Sequence, residues 1–172
     1  EIFDILFSEE SKDIKKIRRY ISKLIQYNQI DYAIKKIDLQ RKNLNQTGFY
    51  ADKLGDYYFS NMNFEKALDE YLLFMLNTTE NTSYIRKKMM NFPDDTETQS
   101  MIRRVFKKYN TKESKVLFSE YEFKWGNYIE AFETMISNYD SIKSLHDFGQ
   151  NLILNDRLDI AEKVYIHLSN LK

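Results

Sequence analysis

The chain has no cysteine, one proline and only four glycines in 172 residues. Without cysteine, neither a disulfide framework nor a thiolate nucleophile is available. So few glycines and prolines leave too few turn residues for a β-sandwich, and they favour helices joined by short links. The formal net charge is zero, so no overall field draws the chain to nucleic acid or to an anionic membrane. No apolar run approaches the roughly 20 residues needed to cross a bilayer.

Apolar residues are abundant, since 42% of the chain is hydrophobic and 15% is aromatic. This composition and length suit one compact domain or a short repeat array with a substantial core. We therefore expect a soluble domain. Its compartment is left open between the cytoplasm and the periplasm or cell envelope, because a signal or lipid anchor upstream of Glu1 would lie outside this sequence.

Small residues recur along the chain at intervals of 34, 64 and 30 residues, and the long interval has room for two units. These residues are Ala33, Ala67, Ala131 and Ala161; twelve residues before them stand Ile21, Gly55, Ser119 and Gly149, and four residues after them stand Ile37, Tyr71, Met135 and Tyr165. Small side chains let two helices cross closely, and a large apolar side chain fills the space beside the crossing. The recurrence predicts an all-α fold of about five stacked antiparallel helical hairpins.

Apolar residues three or four apart place amphipathic helices in each unit. The predicted pairs are 12–27 with 30–43, 48–60 with 64–77, 82–91 with 97–109, 112–125 with 128–139, and 142–154 with 157–170. Ser11 is the predicted N-cap of the first helix. Pro93 interrupts the third pair, and Asp95 or Thr96 is expected to start its second helix. Residues 1–11 are predicted to form a short cap or the tail of a preceding helix, and 12–172 the repeat domain.

The unit that begins at Gly48 carries Leu54-Gly55, Tyr58, Phe64, Ala67 and Tyr71, and the last unit carries Leu145, Phe148-Gly149, Leu152, Ala161 and Tyr165. With these residues the chain resembles the tetratricopeptide-repeat (TPR) family. The fourth unit keeps Gly126-Asn127-Tyr128 with Ala131, the first unit matches more weakly, and the third, with Pro93, departs most. The resemblance covers about 12–172 and implies a TPR-like α-solenoid of about five repeats.

In that family the first helix of each unit lines a concave groove that holds a partner protein or peptide. Carried over to this chain, the resemblance implies a partner-binding set of Arg18, Ile25, Phe49, Asp52, Asp56, Phe59, Arg86, Met90, Glu120 and Phe123, with Ser22, Val116, His146, Gln150 and Ile153 beside them. Phe49, Phe59 and Phe123 are either exposed anchors or, with equal weight, core rings. If they are anchors, replacing Phe59 or Phe123 by alanine would weaken binding without loss of stability. Asp56 and Glu120 disfavour an acidic C-terminal tail as the partner.

Catalytic and cofactor motifs are scarce. The four glycines lie far apart and form no phosphate-binding loop. No HxxxH or HxxE spacing occurs, so a metal site or a helical enzyme built on His146 with Asp147 and Asp156 is a minor alternative. We therefore expect neither catalysis nor a cofactor nor a metal.

Charge alternates in sign along the chain: residues 1–50 sum to +3, 51–85 to −4, 86–115 to +5 and 116–172 to −4. The basic block 86–108 contains Arg86, Lys87, Lys88, Arg103, Arg104, Lys107 and Lys108. It could bind phosphates in a nucleic-acid-binding repeat, although acidic neighbours favour a solvated face or a docking patch for an acidic protein.

We expect a non-catalytic protein–protein interaction scaffold, with nucleic-acid binding as the alternative. The end repeats could also support a homo-oligomer, because Leu168 and Leu171 indicate an incompletely capped stacking face.

Overall fold

The computed structural model describes residues 13–77 and 82–171 of the chain. All regular structure in this part is α-helical, and no strand occurs among these residues. The helices are α1 (Ile14–Gln26), α2 (Ile30–Leu44), α3 (Ala51–Ser60), α4 (Phe64–Asn77), α5 (Thr82–Met89), α6 (Thr96–Phe106), α7 (Lys112–Lys124), α8 (Tyr128–Asn138), α9 (Ile142–Leu154) and α10 (Leu158–Asn170).

Each helix begins and ends within three residues of its predicted bounds. The start of α3 is three residues later than predicted, because Tyr50 has a left-handed backbone (φ 62°) that a helix cannot continue through. The predicted cap Ser11 and the segment 1–11 lie outside the described residues. The N-cap of α1 is instead Asp13, whose carboxylate accepts hydrogen bonds from the backbone N–H groups of Lys15 and Lys16.

Four helix pairs are joined by the same three-residue turn. The middle residue of each turn has a left-handed backbone: Asn28 (φ 58°), Met62 (58°), Gly126 (78°) and Asp156 (58°). The residue after it donates its N–H to a carbonyl five residues earlier, as Gln29 does to Leu24 and Asn63 does to Tyr58. This is the Schellman helix ending. The four turns are spaced by 34, 64 and 30 residues, the same intervals as the recurring alanines, so local backbone geometry repeats together with the sequence.

The small residues lie where the paired helices cross, as predicted. A Cβ atom added to Gly55 on α3 would stand 2.6 Å from the ring of Tyr71 on α4, and one added to Gly149 would stand 3.1 Å from Tyr165. At the corresponding position of α7, the hydroxyl of Ser119 donates a hydrogen bond of 2.9 Å to the carbonyl of Ala131 on α8. The crossings are therefore close enough that a larger side chain would force the helices apart.

The third predicted hairpin is the exception. Helices α5 and α6 are present, but both pack against α4, and they do not form a closely packed pair with each other. The segment between them contains Pro93 and lacks the Schellman turn, and α6 begins at an N-cap formed by Asp95, which accepts the N–H of Thr98 at 2.9 Å. The arrangement is thus four closely packed pairs with α5 and α6 inserted between the second and third of them.

Buried apolar side chains form three clusters, and each cluster joins more than one pair. One joins α1 and α2 to the start of α3, the second joins α4 through α7, and the third joins α7 to α8, α9 and α10. Because each cluster crosses a pair boundary, the pairs are held to their neighbours by apolar burial.

Candidate functional site

The ten predicted partner-binding residues lie on or next to the first helices of successive pairs and on α5. Arg18 and Ile25 are on α1, Phe49 precedes α3, Asp52, Asp56 and Phe59 are on α3, Arg86 is on α5 and Met90 follows it, and Glu120 and Phe123 are on α7. Phe49 is buried and the other nine are half-buried.

Charged members of this set pair with one another between neighbouring helices. The guanidinium of Arg18 on α1 lies 3.2 Å from the carboxylate of Asp52 on α3, and that of Arg86 on α5 lies 2.8 Å from Glu120 on α7. Between them, the ammonium of Lys88 on α5 contacts the carboxylate of Asp56 on α3. We call these three pairs the first-helix ladder. The partners are 32 or 34 residues apart in sequence, so each pair bridges about one repeat.

Aromatic residues contact two pairs of this ladder, Arg18–Asp52 and Asp56–Lys88. The guanidinium of Arg18 lies over the ring of Tyr50, 5.0 Å from its centroid, which is within cation–π range. The Tyr50 hydroxyl is 2.6 Å from that of Ser22. The hydroxyl of Tyr71 donates a hydrogen bond of 2.9 Å to Asp56. Sequence reasoning missed Tyr50, since nothing in its spacing separates it from an ordinary core tyrosine.

Burial and neighbouring charges shift the pKa values of two ladder residues. Burial acts most strongly on Glu120. It raises the pKa of Glu120 above its usual range, although the neighbouring Arg86 acts in the opposite direction. Burial by itself would lower the pKa of Lys88, but the hydrogen bond and the negative charge of Asp56 outweigh it, and the pKa stands above its ordinary value. Lys88 therefore stays protonated at neutral pH.

Of the three phenylalanines that were either anchors or core rings, Phe49 belongs to the core, whereas Phe59 and Phe123 are half-buried. Phe49 is only 6% exposed and lies in the cluster of α1 to α3. Phe59 makes edge-to-face contacts with Phe64 and Phe92, and Phe123 makes the same kind of contact with Tyr128 and with Phe148 on α9. Of the two alternatives, burial is the one observed for Phe49. Phe59 and Phe123 pack against the neighbouring helices and keep part of each ring exposed.

A second set of ion pairs joins the second helices and α6. Arg41 on α2 donates from two guanidinium nitrogens, Nη1 (3.2 Å) and Nη2, to the carboxylate of Glu70 on α4. Also on α4, Glu65 lies 2.7 Å from Arg104 on α6, and Asp69 lies 3.1 Å from Lys108 beyond the end of α6. We call these pairs the second-helix ladder.

The two ladders account for most of the basic block. Within the block, Arg86, Lys88, Arg104 and Lys108 are ladder members, and Arg103 forms a two-bond pair with the buried Glu122 on α7. The block pairs with the acidic helices on both sides of it, so it is not a free basic patch. The sign alternation seen in the sequence corresponds to attraction between adjacent units.

The alternative metal site is not assembled. The imidazole of His146 is 52% exposed; its Nδ1 lies 3.8 Å from the carboxylate of Asp147, and its ring packs edge-to-face on Tyr165. Among residues 13–77 and 82–171, no group of three or more His, Cys, Asp or Glu side chains is close enough to hold a metal ion.

Comparison with family models, with curated proteins and with solved structures gives no match for this chain. The TPR resemblance therefore stays an inference from the residues quoted above. In the part of the chain that the structure describes, no helix has the length and apolar character required to cross a membrane.

The last pair exposes more apolar surface than the others. Of the twelve large apolar side chains exposed in the described residues, six belong to 142–171: Ile142, Ile153, Leu154, Leu158, Ile166 and Leu171. In the preceding pair two of the matching positions are covered better. Phe123, which corresponds to Ile153, packs edge-to-face with Phe148 on α9, and Tyr128, which corresponds to Leu158, packs against the apolar cluster of α7 to α10. Self-association through an end repeat remains a prediction, and this surface is where it would form.

Proposed function

We propose that this chain is a non-catalytic scaffold, a TPR-like stack of helical hairpins that binds a partner protein along the first-helix ladder. The observation that carries the proposal is that the ladder recurs at about one repeat. Arg18 on α1 and Lys88 and Arg86 on α5 alternate in sign with Asp52 and Asp56 on α3 and Glu120 on α7. The strip is half-exposed and of mixed sign, which suits a partner surface that carries both basic and acidic groups.

Mixed charge in such a strip favours specificity more than raw affinity. Charges at a partly solvated interface steer the encounter and penalise like-charged juxtapositions. A partner must place acids beside the arginines and bases beside the carboxylates, so recognition depends on register along the stack. The half-buried rings of Phe59 and Phe123 pack between the helices and so support those that carry the strip.

Nucleic-acid binding has less support. Five of the seven basic side chains of the block lie beside carboxylates. A phosphate backbone carries negative charge alone and would be repelled by those carboxylates, whereas a protein surface of mixed charge can complement both signs.

A charge-swap experiment tests the scaffold proposal. The double variant Arg86→Glu/Glu120→Arg keeps an internal ion pair but reverses the sign of two positions on the strip. The matched control Glu65→Arg/Arg104→Glu does the same in the second-helix ladder. Partners would be captured with the wild-type chain from cells, identified by mass spectrometry, and then purified for calorimetric titration against the three proteins.

We expect the first swap to weaken binding of the purified partner by about tenfold, equivalent to about 1.4 kcal/mol, while the control binds like the wild type. Circular dichroism melts would verify that both variants fold. Equal affinity for all three proteins would place the binding surface elsewhere and overturn the proposal.

A further inference from the structure

A cleft of about 620 Å³ opens between α6, α7 and α8, away from the first-helix ladder. This volume is in the range of established ligand pockets. Sequence reasoning did not find the cleft, because the residues that line it come from three helices and are separated by up to 31 positions, from Arg103 to Thr134.

The cleft marks a missing contact between two helices. α4 packs against α6, and α8 packs against α10, but α6 and α8 are not in close contact with each other. The side of α7 that would otherwise be covered is left open between them.

The floor of the cleft is apolar and aromatic. Phe106 on α6 and Phe118 on α7 both line it, with ring centroids 5.2 Å apart. The polar groups at one end are already satisfied, since Glu122 accepts two hydrogen bonds from Arg103 and one from Asn127. Phe106 is only 6% exposed, whereas Phe118 is half-buried. An occupant therefore gains mainly by covering Phe118 and need not supply a partner for a buried charge.

The walls carry charges of opposite sign that the fold leaves unused. Lys107, directly after α6, and Lys115 on α7 line the cleft, and so do Glu130 and Glu133, three residues apart on α8. None of these four has an ion-pair partner within 4.0 Å among the described residues, in contrast to the ladder charges.

We propose that this cleft docks an amphipathic α-helix of a partner protein. Its apolar face covers Phe106 and Phe118, acidic side chains along one flank meet Lys107 and Lys115, and basic side chains along the other meet Glu130 and Glu133. A helix fits because the gap stands where the neighbouring helices make helix-on-helix contacts, and helix-in-groove docking uses apolar anchors at i, i+3 and i+4 with charged flanks. The site is separate from the first-helix ladder and does not depend on the proposed function.

Three synthetic helical peptides of about 14 residues test this assignment. All share one leucine-rich face and lack tryptophan. One has glutamates on one flank and lysines on the other, the second has glutamates on both flanks, and the third has lysines on both. Reversing the direction of a docked helix exchanges its flanks, so the one-signed peptides are the informative controls.

Binding is followed by the fluorescence of Trp125, the only tryptophan of the chain. Its ring lies 4.8 Å from the guanidinium of the lining residue Arg103.

The mixed peptide is expected to bind about tenfold more tightly than either one-signed peptide, because each rim pair adds a small increment. Lys107→Glu/Lys115→Glu should shift the preference to the all-lysine peptide, and Glu130→Lys/Glu133→Lys should shift it to the all-glutamate peptide. The control variants Lys87→Glu and Glu162→Lys alter exposed charges outside the cleft and should leave the order unchanged. Absence of binding, equal binding of all three peptides, or an order that the cleft variants do not change would overturn the proposal.

Discussion

At the scale of single residues, the absence of a side chain at a helix crossing sets how closely the two helices approach. Gly55 and Gly149 occupy the same place in two units, yet their surroundings differ. The Tyr71 ring facing Gly55 is fully buried, whereas the end of Tyr165 facing Gly149 reaches Gln150 at the surface. A ring enclosed on all sides cannot move aside for an added methyl group.

We expect Gly55→Ala to lower the free energy of unfolding by about 1–3 kcal/mol through overpacking against Tyr71. In Gly149→Ala, the alanine's higher helix propensity, worth about 1 kcal/mol, should offset a milder contact. Urea denaturation of both variants would measure the difference. If Gly149→Ala proved the more damaging of the two, the crossing geometry would be misassigned.

Met62 provides a second residue-scale prediction. It holds a left-handed backbone at φ 58°, and its side chain is 79% exposed, so little packing would be lost on shortening it. Met62→Gly should raise the free energy of unfolding by about 0.5–1 kcal/mol, since glycine adopts this conformation without strain. Gly126→Ala, in the equivalent turn, is the matched control and should lower it by about 1 kcal/mol. Thermal melts of both variants would measure this, and a destabilised Met62→Gly would refute the prediction.

At the scale of elements, hydroxyls of buried and half-buried tyrosines form hydrogen bonds between helices. Tyr71 on α4 donates to Asp56 on α3, Tyr109 after α6 donates to Asp69 on α4, and Tyr121 on α7 donates to the Met89 carbonyl on α5. Burial is the main reason that the pKa of each stands far above the ordinary 10.0, and neighbouring carboxylates raise it further.

A pH dependence follows from these tyrosines. Their folded pKa exceeds the unfolded value of about 10, so their contribution to stability is present in full below that pH and is lost as the pH rises above it. Urea unfolding between about pH 8 and pH 11 should show falling stability. Tyr121→Phe should reduce the fall, whereas Tyr27→Phe, at an exposed ring, should not change it. A wild-type stability that stays constant to the upper limit would contradict this.

At the scale of the whole molecule, the net charge of zero is the sum of regions whose charges alternate in sign. The basic block faces acidic helices on both sides, and the two ladders convert that alternation into contacts between neighbouring units. A protein with no net charge has no overall repulsion for salt to relieve, so salt acts mainly by screening these attractions.

Raising sodium chloride to about 1 M should therefore lower the free energy of unfolding by about 1–2 kcal/mol, a few tenths for each partly exposed pair. Urea denaturation at low and high salt would measure it. The variant Arg104→Gln, which removes one pair of the second-helix ladder, should show a smaller salt effect. Stability that is unchanged or higher in salt would show that the ladders contribute little.

The sequence alone determined the helices and four of the five predicted pairs, because both depend on residues close together in the chain. Apolar spacing, the small residues at crossings and the turn at Gly126-Asn127 act within about 35 positions. Only the tertiary structure decided which charges meet, that Phe49 is buried, that α5 and α6 pack on α4, and that α6 and α8 stand apart over a cleft. Those outcomes depend on distances between units, and neither a residue's type nor its spacing specifies which neighbour from the next unit will cover it.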